Sequence, residues 1–386
     1  MTAAVVIGAV SLGAWVYLII ARGGFWRADA WEDRDRAPQP AAWPSVAAVV
    51  PARNEAEVLP DTLTSLLAQD YAGRFSIVLV DDQSEDATAE VARSLAERPA
   101  ARHELTVVRG QAVPPGWTGK LWAVRRGIER AGTAEPAYLL LTDADIAYQP
   151  DALARIVRHA LARDLALMSL MVELNCESLA EKALVPAFVF FFQMLYPFAW
   201  VNDPARKLAA AAGGCMLVRR DALQRAGGIE AIRGALIDDC ALARALKPVG
   251  PIWLGLTRMV RSRRRYPRFD DIRRMVSRSA YDQLGYSPLL LAGTVAGLLV
   301  VYGAPPVLTL FATGHAQVLG AAAWLAMAAA FQPMLRFFRR APLWGLALPA
   351  IGAAYVAFTL ESAYQYARGR GGVWKGRVQA GVSEPR

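Results

Sequence analysis

Acidic and amide side chains gather at three points of the chain where they could act together. These are Pro51-Ala52-Arg53-Asn54-Glu55, Asp81-Asp82-Gln83-Ser84-Glu85-Asp86 and Asp143-Ala144-Asp145. Two carboxylates one residue apart can share a divalent cation with phosphate oxygens, the usual way magnesium or manganese is held beside a diphosphate. The three histidines (His103, His159, His315) and three cysteines (Cys176, Cys215, Cys240) are scattered. A multi-histidine zinc site is therefore excluded, and any metal must be held by carboxylates. Each cluster also has a plainer reading, with Asn54 and Asp86 as helix caps and Asp143 as a turn acid. Singly those readings win; for three clusters in this order they are hard to sustain.

Such chemistry requires the clusters to meet, and the apolar rhythm of residues 45–280 brings them together. Strand-like runs at 46–51, 76–81, 105–108 and 137–142 alternate with helical patterns at 57–69, 86–96 and 121–131. That alternation predicts an α/β fold with a mostly parallel sheet covered on both faces. In such sheets ligands sit beyond the carboxyl ends of the strands, where all three clusters fall. Lys120 follows Gly119 at a predicted helix start, where the macrodipole disfavours a cation. An anionic partner for it is expected, with a solvated surface lysine as the alternative. Gly213-Gly214 precedes a predicted strand at 215–218, and glycine there allows close backbone approach to a ligand or simply makes a turn.

The remaining sequence is apolar. Of 386 residues 55% are hydrophobic and only 20% charged, too greasy for a soluble protein and too long for one ordinary domain. Residues 2–21 carry no charge and just cross a hydrocarbon core as a helix. An uncleaved anchor is expected, a signal peptide being the competing reading. Residues 283–335 again lack Asp, Glu, Lys and Arg, enough for two crossings joined near Thr313-Gly314-His315-Ala316. Residues 341–360 form another uncharged stretch. The apolar run 184–201, broken by Pro186, Gln193 and Pro197, fits an interfacial segment or a buried core helix. The net charge is +9, and residues 261–278, with eight arginines and two aspartates, carry most of it. Lying before a span, that segment is expected to dock on anionic lipid, with Arg278 alone reaching the site. The positive-inside rule then puts the central domain and the loop 336–340 in the cytoplasm and Met1 outside. A third crossing would leave the basic tail, with Arg368, Arg370, Lys375 and Arg377, on the wrong side. Either 341–360 is re-entrant, or the span count is wrong, or the charge rule fails. The expected organisation is an anchor at 1–22, a linker at 23–44, a catalytic domain at 45–260, an Arg-rich segment at 261–284, membrane helices at 285–363 and a basic tail at 364–386.

With these motifs the chain resembles the inverting family-2 glycosyltransferases of the GT-A fold over nearly all of residues 45–285. In Pro51-Ala-Arg-Asn-Glu55 and Arg278-Ser-Ala-Tyr-Asp-Gln-Leu284 it is similar to hopanoid-biosynthesis-associated members. The resemblance implies a Rossmann-like GT-A domain with one N-terminal and two to three C-terminal transmembrane helices, at the bacterial inner membrane. It implies a nucleotide-sugar donor, expected to be a UDP-sugar, bound by Pro51, Ala52, Arg53, Glu55, Lys120, Asp143 and Ala144, with Asp82 on the base. Asp143 and Asp145 would hold a divalent metal, Mg or Mn. Asp238-Asp239, followed by Leu242, stands where the family has E-D-x-x-L, which makes Asp239 the catalytic base. Gly214, Asp238 and Arg278 would face the acceptor and diphosphate. Where many relatives carry Q-x-x-R-W, this chain reads Met275-Val-Ser-Arg278-Ser279, which speaks against processive polysaccharide synthesis. The implied acceptor is a membrane lipid, with no nucleic-acid partner. A hydroxyl needs a base whereas an ionised phosphate would be repelled by one, so the acid pair favours a hydroxylated lipid over the polyprenyl phosphate of the rival reading. A sugar nucleotidyltransferase would want a Gly-rich phosphate loop after the first strand. A non-catalytic scaffold or transporter would want ionisable residues in its spans.

Overall fold

The computed structural model describes residues 2–31 and 38–370, and the backbone of 373–374 and 377–378. Lys375 and the side chains of the Trp374–Arg377 run fall outside the described residues, as does part of the linker. After helix α1 (Ala3–Ala21), the central domain runs β1 (Val46–Ala52), α2 (Leu59–Leu67), β2 (Phe75–Asp81), α3 (Thr88–Ala96), β3 (Glu104–Arg109), α4 (Gly119–Gly132) and β4 (Tyr138–Thr142). It continues through β5 (Ile146–Tyr148), α5 (Ala152–Ala162), β6 (Leu167–Glu173), α6 (Leu179–Leu195), α7 (Phe198–Val201), β7 (Cys215–Arg219), α8 (Arg220–Arg225), α9 (Asp238–Leu246) and β8 (Ile252–Ser262). Strands β1, β4 and β6 are buried along their whole length, as expected where helices cover both faces of a sheet.

The sheet order is β3-β2-β1-β4-β7-β6-β8-β5. Pairs β1–β2, β1–β4, β2–β3 and β6–β8 are parallel. However, β7 is antiparallel to both β4 and β6, and β5 to β8, so the sheet is mixed rather than simply parallel. The antiparallel insertion has a use. Thr142, the last residue of β4, pairs with Cys215, the first of β7, so Gly213-Gly214 stand beside Asp143. Strand β8 also runs past the expected domain end at residue 260, and its Ser262 pairs with Ile146. The start of the Arg-rich segment therefore belongs to the sheet.

Of the two readings of the run 184–201, its burial favours the core helix. Helix α6 begins with a capping box between Ser178 and Glu181 and buries Leu184, Val185, Pro186, Ala187, Val189 and Phe190. Its Phe190 ring packs against Phe25 and Phe331 at 5.2 and 5.0 Å. The helix packs against the apolar helices at the two ends of the chain, which accounts for its apolar buried residues. Helix α10 (Phe269–Ser277) follows β8 and rests on both α6 and the last helix of the chain.

Four helical segments are long and apolar enough to cross a membrane: Ala3–Ala21, Pro288–Phe311, His315–Phe337 and Pro342–Ala367. The second comprises α11 (Pro288–Leu298), a π turn at Leu299–Gly303 and α12 (Ala304–Phe311). Helix α13 (His315–Phe337) returns antiparallel to it after a turn at Gly314, whose φ of 60° suits glycine. This is the expected pair of passages.

The fourth segment differs. The loop after α13 is tied to the central domain by Arg339 Nη1 on Glu173 Oε1 at 3.1 Å, and Arg258 Nη2 donates to Phe337 O at 2.6 Å. The chain then runs back along α13 as a 3-10 turn, Pro342–Ala347, with Gln332 Nε2 donating to Pro342 O and Trp324 Nε1 to Leu346 O. At 1.5 Å per residue, Trp324 lies about 20 Å along α13 from Phe337. Helix α14 (Leu348–Ala367) starts at that depth and climbs back. Gly352 abuts Tyr302, the Tyr355 hydroxyl donates to Leu184 O, Phe358 meets Phe269, Glu361 pairs with Arg273, and Tyr366 stacks on Tyr286 at 4.2 Å. Both ends of 341–367 thus lie on the side of the central domain, and of the three sequence alternatives the contacts favour the re-entrant one.

Candidate active site

The carboxyl ends of β1 and β4, the turn before β7 and the start of α9 surround one cavity of about 570 Å³. Pro51, Glu55, Lys120, Asp143, Ala144, Asp145, Gly214, Asp238, Asp239 and Arg278 all line it, as the sequence predicts. Thr118 caps α4 by accepting from Leu121 N at 3.3 Å, which fixes Lys120 at the helix's second residue. Its ammonium lies 2.9 Å from Asp143 Oδ1 and 3.1 Å from Asp238 Oδ2. The cation thus has two acid partners within the protein itself. Burial works against the charged lysine, but Asp143 and Asp238 outweigh it and hold its pKa above the ordinary lysine range. Burial raises the Asp143 carboxyl, with Asp145 adding to the effect and Lys120 opposing it.

Asp239 is held differently. Its Oδ2 accepts from Gly213 N at 2.9 Å and its Oδ1 from Cys240 N at 2.7 Å. It sits in the first turn of α9, where the helix dipole favours an anion. Among the described residues no cation lies within ion-pair distance of it. Burial and the neighbouring Asp238 push its carboxyl up to about 6, against the pull of Lys120.

Asp145 and Glu55 are both 8% exposed and share one guanidinium, that of Arg264. Its Nη2 lies 2.6 Å from Glu55 Oε1 and its Nε 3.4 Å from Asp145 Oδ2. The Ser262 hydroxyl donates to the same Asp145 oxygen at 2.7 Å. Arg264, Tyr266 and Arg274 line the cavity as well as Arg278, so the expectation that Arg278 alone reaches it is corrected. The cause is β8, whose extension past residue 260 carries the arginines after it over the cavity. Sequence reasoning missed Arg264, because a dense arginine run reads as lipid-facing charge.

Three carried-over donor residues are not at this cavity. Ala52 is wholly buried in the core, and Asp82 is 1% exposed. Arg53 turns to its neighbours' backbone, donating to Asp82 O at 2.7 Å and Gln83 O at 3.2 Å. Asn54 does not cap a helix end, whereas Asp86 Oδ1 accepts from the N–H of Thr88, the first residue of α3, at 3.1 Å; both also staple the loops after β1 and β2. Asn54 Oδ1 accepts from Glu85 N, and Asp86 Oδ2 from Ala56 N. The left-handed backbone of Asn54 (φ 53°) suits that role. Gly214 is tight, since a Cβ there would meet Val172 and Ile146 at 3.2–3.3 Å.

The far wall of the cavity is apolar, formed by Phe188 and Phe192 of α6 and Met275 of α10. These two helices rest directly on α14. One cavity thus joins a cluster of acids and cations to an apolar wall above the membrane helices.

A divalent cation fits the polar end. Asp143 and Asp145 offer hard oxygen donors to the same space, and each is already met by a protein cation. Among the described residues no three His, Cys, Asp or Glu side chains converge to hold a metal. The protein would thus supply two ligands, leaving the rest to diphosphate oxygens and water, as suits Mg²⁺ or Mn²⁺.

Residues 44–251 match the family model described as glycosyltransferase like family 2. Among curated proteins, the chain is 30% identical over 186 residues to an N-acetylglucosaminyltransferase of Rhizobium leguminosarum bv. viciae, covering 47% of this chain and 40% of that one. It is 31% identical over 117 residues to an undecaprenyl-phosphate 4-deoxy-4-formamido-L-arabinose transferase of Pseudomonas savastanoi pv. phaseolicola, covering 30% and 32%. The chain spans less than half the length of these curated relatives. Among solved structures, a mannosyltransferase from Pyrobaculum calidifontis, in complex with GDP-Man and Mn²⁺, superposes with a TM-score of 0.53 at 20% identity, covering 94% of this chain and 99% of that one. At 94% coverage that likeness takes in the long apolar helices as well as the α/β domain.

Proposed function

The chain belongs to glycosyltransferase-like family 2, and from that premise we propose that it transfers a sugar from a nucleotide-sugar donor, expected to be a UDP-sugar, to the hydroxyl of a membrane lipid, with inversion. The observation that carries this reading is the single cavity that joins Lys120, the aspartates and Arg278 to the apolar wall of Phe188, Phe192 and Met275. A water-soluble acceptor would need no such wall. The specific choice of a hopanoid rests on the motif resemblance.

Inversion is one in-line displacement, so it needs a base at the acceptor hydroxyl and charge neutralisation at the leaving diphosphate, but no protein nucleophile. Asp239 is assigned as the base, because two backbone N–H groups fix it and no ion pair occupies it. Asp143 and Asp145 would hold the metal, whose role when bound is to neutralise diphosphate oxygens. Lys120 orients Asp143 and Asp238, and Arg278, exposed at the cavity and unpaired with any carboxylate among the described residues, offers a cation to the diphosphate. The Mn²⁺ and GDP-Man of the Pyrobaculum mannosyltransferase are consistent with these assignments. The catalytic domain is assigned to the cytoplasmic face of the bacterial inner membrane, where nucleotide sugars are available, with the arginine segment against anionic lipid.

A second reading, transfer to a polyprenyl phosphate, is favoured by the undecaprenyl-phosphate relative. The two separate in one experiment. Purified protein is given labelled nucleotide sugars with either a hydroxylated hopanoid or polyprenyl phosphate, and the lipid product is assayed. Product from the hydroxyl lipid is expected; robust product from the phosphate alone would replace this reading with the second.

A further inference from the structure

Arg264 is the one side chain in the cavity that bridges an acid of the β1 end, Glu55, and an acid of the β4–β5 turn, Asp145. Two carboxylates this deeply buried would be costly without a counter-charge, and a planar guanidinium can serve both. The two contacts are unequal. The guanidinium is tight on Glu55 at 2.6 Å and loose on Asp145 at 3.4 Å. Asp145 is fixed without it, by the Ser262 hydroxyl at 2.7 Å and by Arg263 N on its own carbonyl at 2.7 Å. The Arg264 side chain is 32% exposed and faces the cavity, whereas Lys120, 20% exposed, is held closely by two acids. Arg264 can therefore leave Asp145 while staying anchored on Glu55.

We infer that Arg264 is a positioning residue that occupies the cation seat at Asp145, competes there with a divalent metal, and pivots on Glu55 toward the donor diphosphate when the metal binds. The inference rests on the assignment of Asp145 as a metal ligand. It removes Arg264, like Arg274 and Arg278 at the same cavity, from the count of lipid-facing charge.

The test is calorimetric titration of the full-length detergent-solubilised protein with MnCl₂ alone, without donor. Removing the competing charge in Arg264→Met is expected to tighten Mn²⁺ binding about tenfold, the scale on which one charge within 4–6 Å shifts the proton affinity of a carboxylate. Glu55→Gln should do the opposite, since the freed guanidinium turns wholly to Asp145, and Mn²⁺ binding weakens. Opposite signs from the two variants cannot come from general destabilisation, and if Arg264→Met fails to fold, the Glu55→Gln titration still decides. With Mn²⁺ saturating, Arg264→Met should also bind nucleoside diphosphate several-fold more weakly. Unchanged or weaker Mn²⁺ affinity in folded Arg264→Met, or unchanged affinity in Glu55→Gln, would overturn the inference while leaving the metal assignment standing. Absence of Mn²⁺ binding by the wild-type protein, both alone and with nucleoside diphosphate present to complete the ligand set, would instead remove that assignment, and this inference with it.

Discussion

Asp238 and Asp239 are adjacent in sequence yet differ in chemistry, because Asp238 is ion-paired with the Lys120 ammonium whereas Asp239 is held by two backbone N–H groups and feels that ammonium only at longer range. A base must be ionised to accept a proton. With the Asp239 carboxyl pushed up to about 6, kcat/KM should fall as pH drops through that value. Asp239→Asn should lose about 10²–10⁴ in rate while keeping donor affinity by calorimetry. Stability should move the other way. The folded pKa lies above the unfolded one, so the native state holds a proton that the unfolded chain releases between about pH 4 and 6. The contribution of Asp239 is then lost as pH rises through that window, and at pH 7 the Asn variant should melt no lower than wild type. Should Asp238→Asn be inactive and Asp239→Asn active, the base is misassigned. At this scale the sequence was informative where residue type alone decides: Asp143, Asp145, Lys120 and the 238–239 pair all meet. It was silent on Arg264 because the inward turn of that arginine depends on the pairing of Ser262 with Ile146, which no local pattern encodes. Proximity in sequence is a weaker guide, since Ala52 and Asp82 share motifs with cavity residues yet are buried and line no part of that cavity.

Helix α6 and the segment after β8 show what elements add. Alternation and apolar runs located β1 to β4 to within a residue or two, because buried strands leave a plain trace and even the partly exposed edge strand β3 keeps an apolar middle. The same apolarity made 184–201 ambiguous, since a helix buried against lipid-spanning helices and one lying on lipid have similar compositions. What fixes α6 is Glu181, 1% exposed. Its carboxylate accepts from Tyr266 N at 2.7 Å, Asn175 Nδ2 at 3.0 Å, Glu177 N at 3.0 Å and Ser178 N at 2.8 Å. Burial pushes this carboxyl up, but the four donors outweigh it and hold it below the ordinary glutamate range. Stability from this group is therefore present above the ordinary pKa of glutamate and lost as pH falls through the lowered one. Glu181→Ala removes the cap and orphans buried N–H groups, at a cost of about 1–3 kcal/mol for a buried group left unsatisfied. Since one of the four donors is Tyr266 of the cavity wall, the variant should lower both Tm and activity. Glu181→Gln, which keeps the acceptor oxygen for Tyr266, should recover part of each. Equal activity of Glu181→Ala and wild type would show that the Tyr266 segment needs no such anchor.

For the whole molecule, hydropathy reports where lipid-compatible helices lie but not how often the chain changes sides, because it counts residues and ignores their partners. The 341–367 segment is long and apolar enough to cross, and a crossing would put Arg368 and Arg370 opposite the arginine segment, against the charge rule. Its partners indicate otherwise. On entry Arg339 holds Glu173 of β6, and on exit Glu361 holds Arg273 while Tyr366 stacks on Tyr286. The deepest residues lie against Trp324 and Tyr302, with Gly345, Leu348 and Gly352 buried. A re-entrant segment can turn within the hydrocarbon only where protein covers its backbone. The Trp324 and Gln332 side chains do this by donating to the carbonyls of the 3-10 turn. The expected topology is then three full passages, with residues 368–370 on the catalytic side and the 312–314 turn opposite. Two cysteine variants, Thr313→Cys and Arg370→Cys, in a background with Cys176, Cys215 and Cys240 replaced, test this in sealed inner-membrane vesicles. A membrane-impermeant maleimide should label position 370 from the same face that exposes the catalytic domain to protease, and position 313 only from the other. Labelling of both from one face opposite the catalytic domain would mean that α14 completes a crossing, and that the ion pairs at its two ends do not hold the segment on one side.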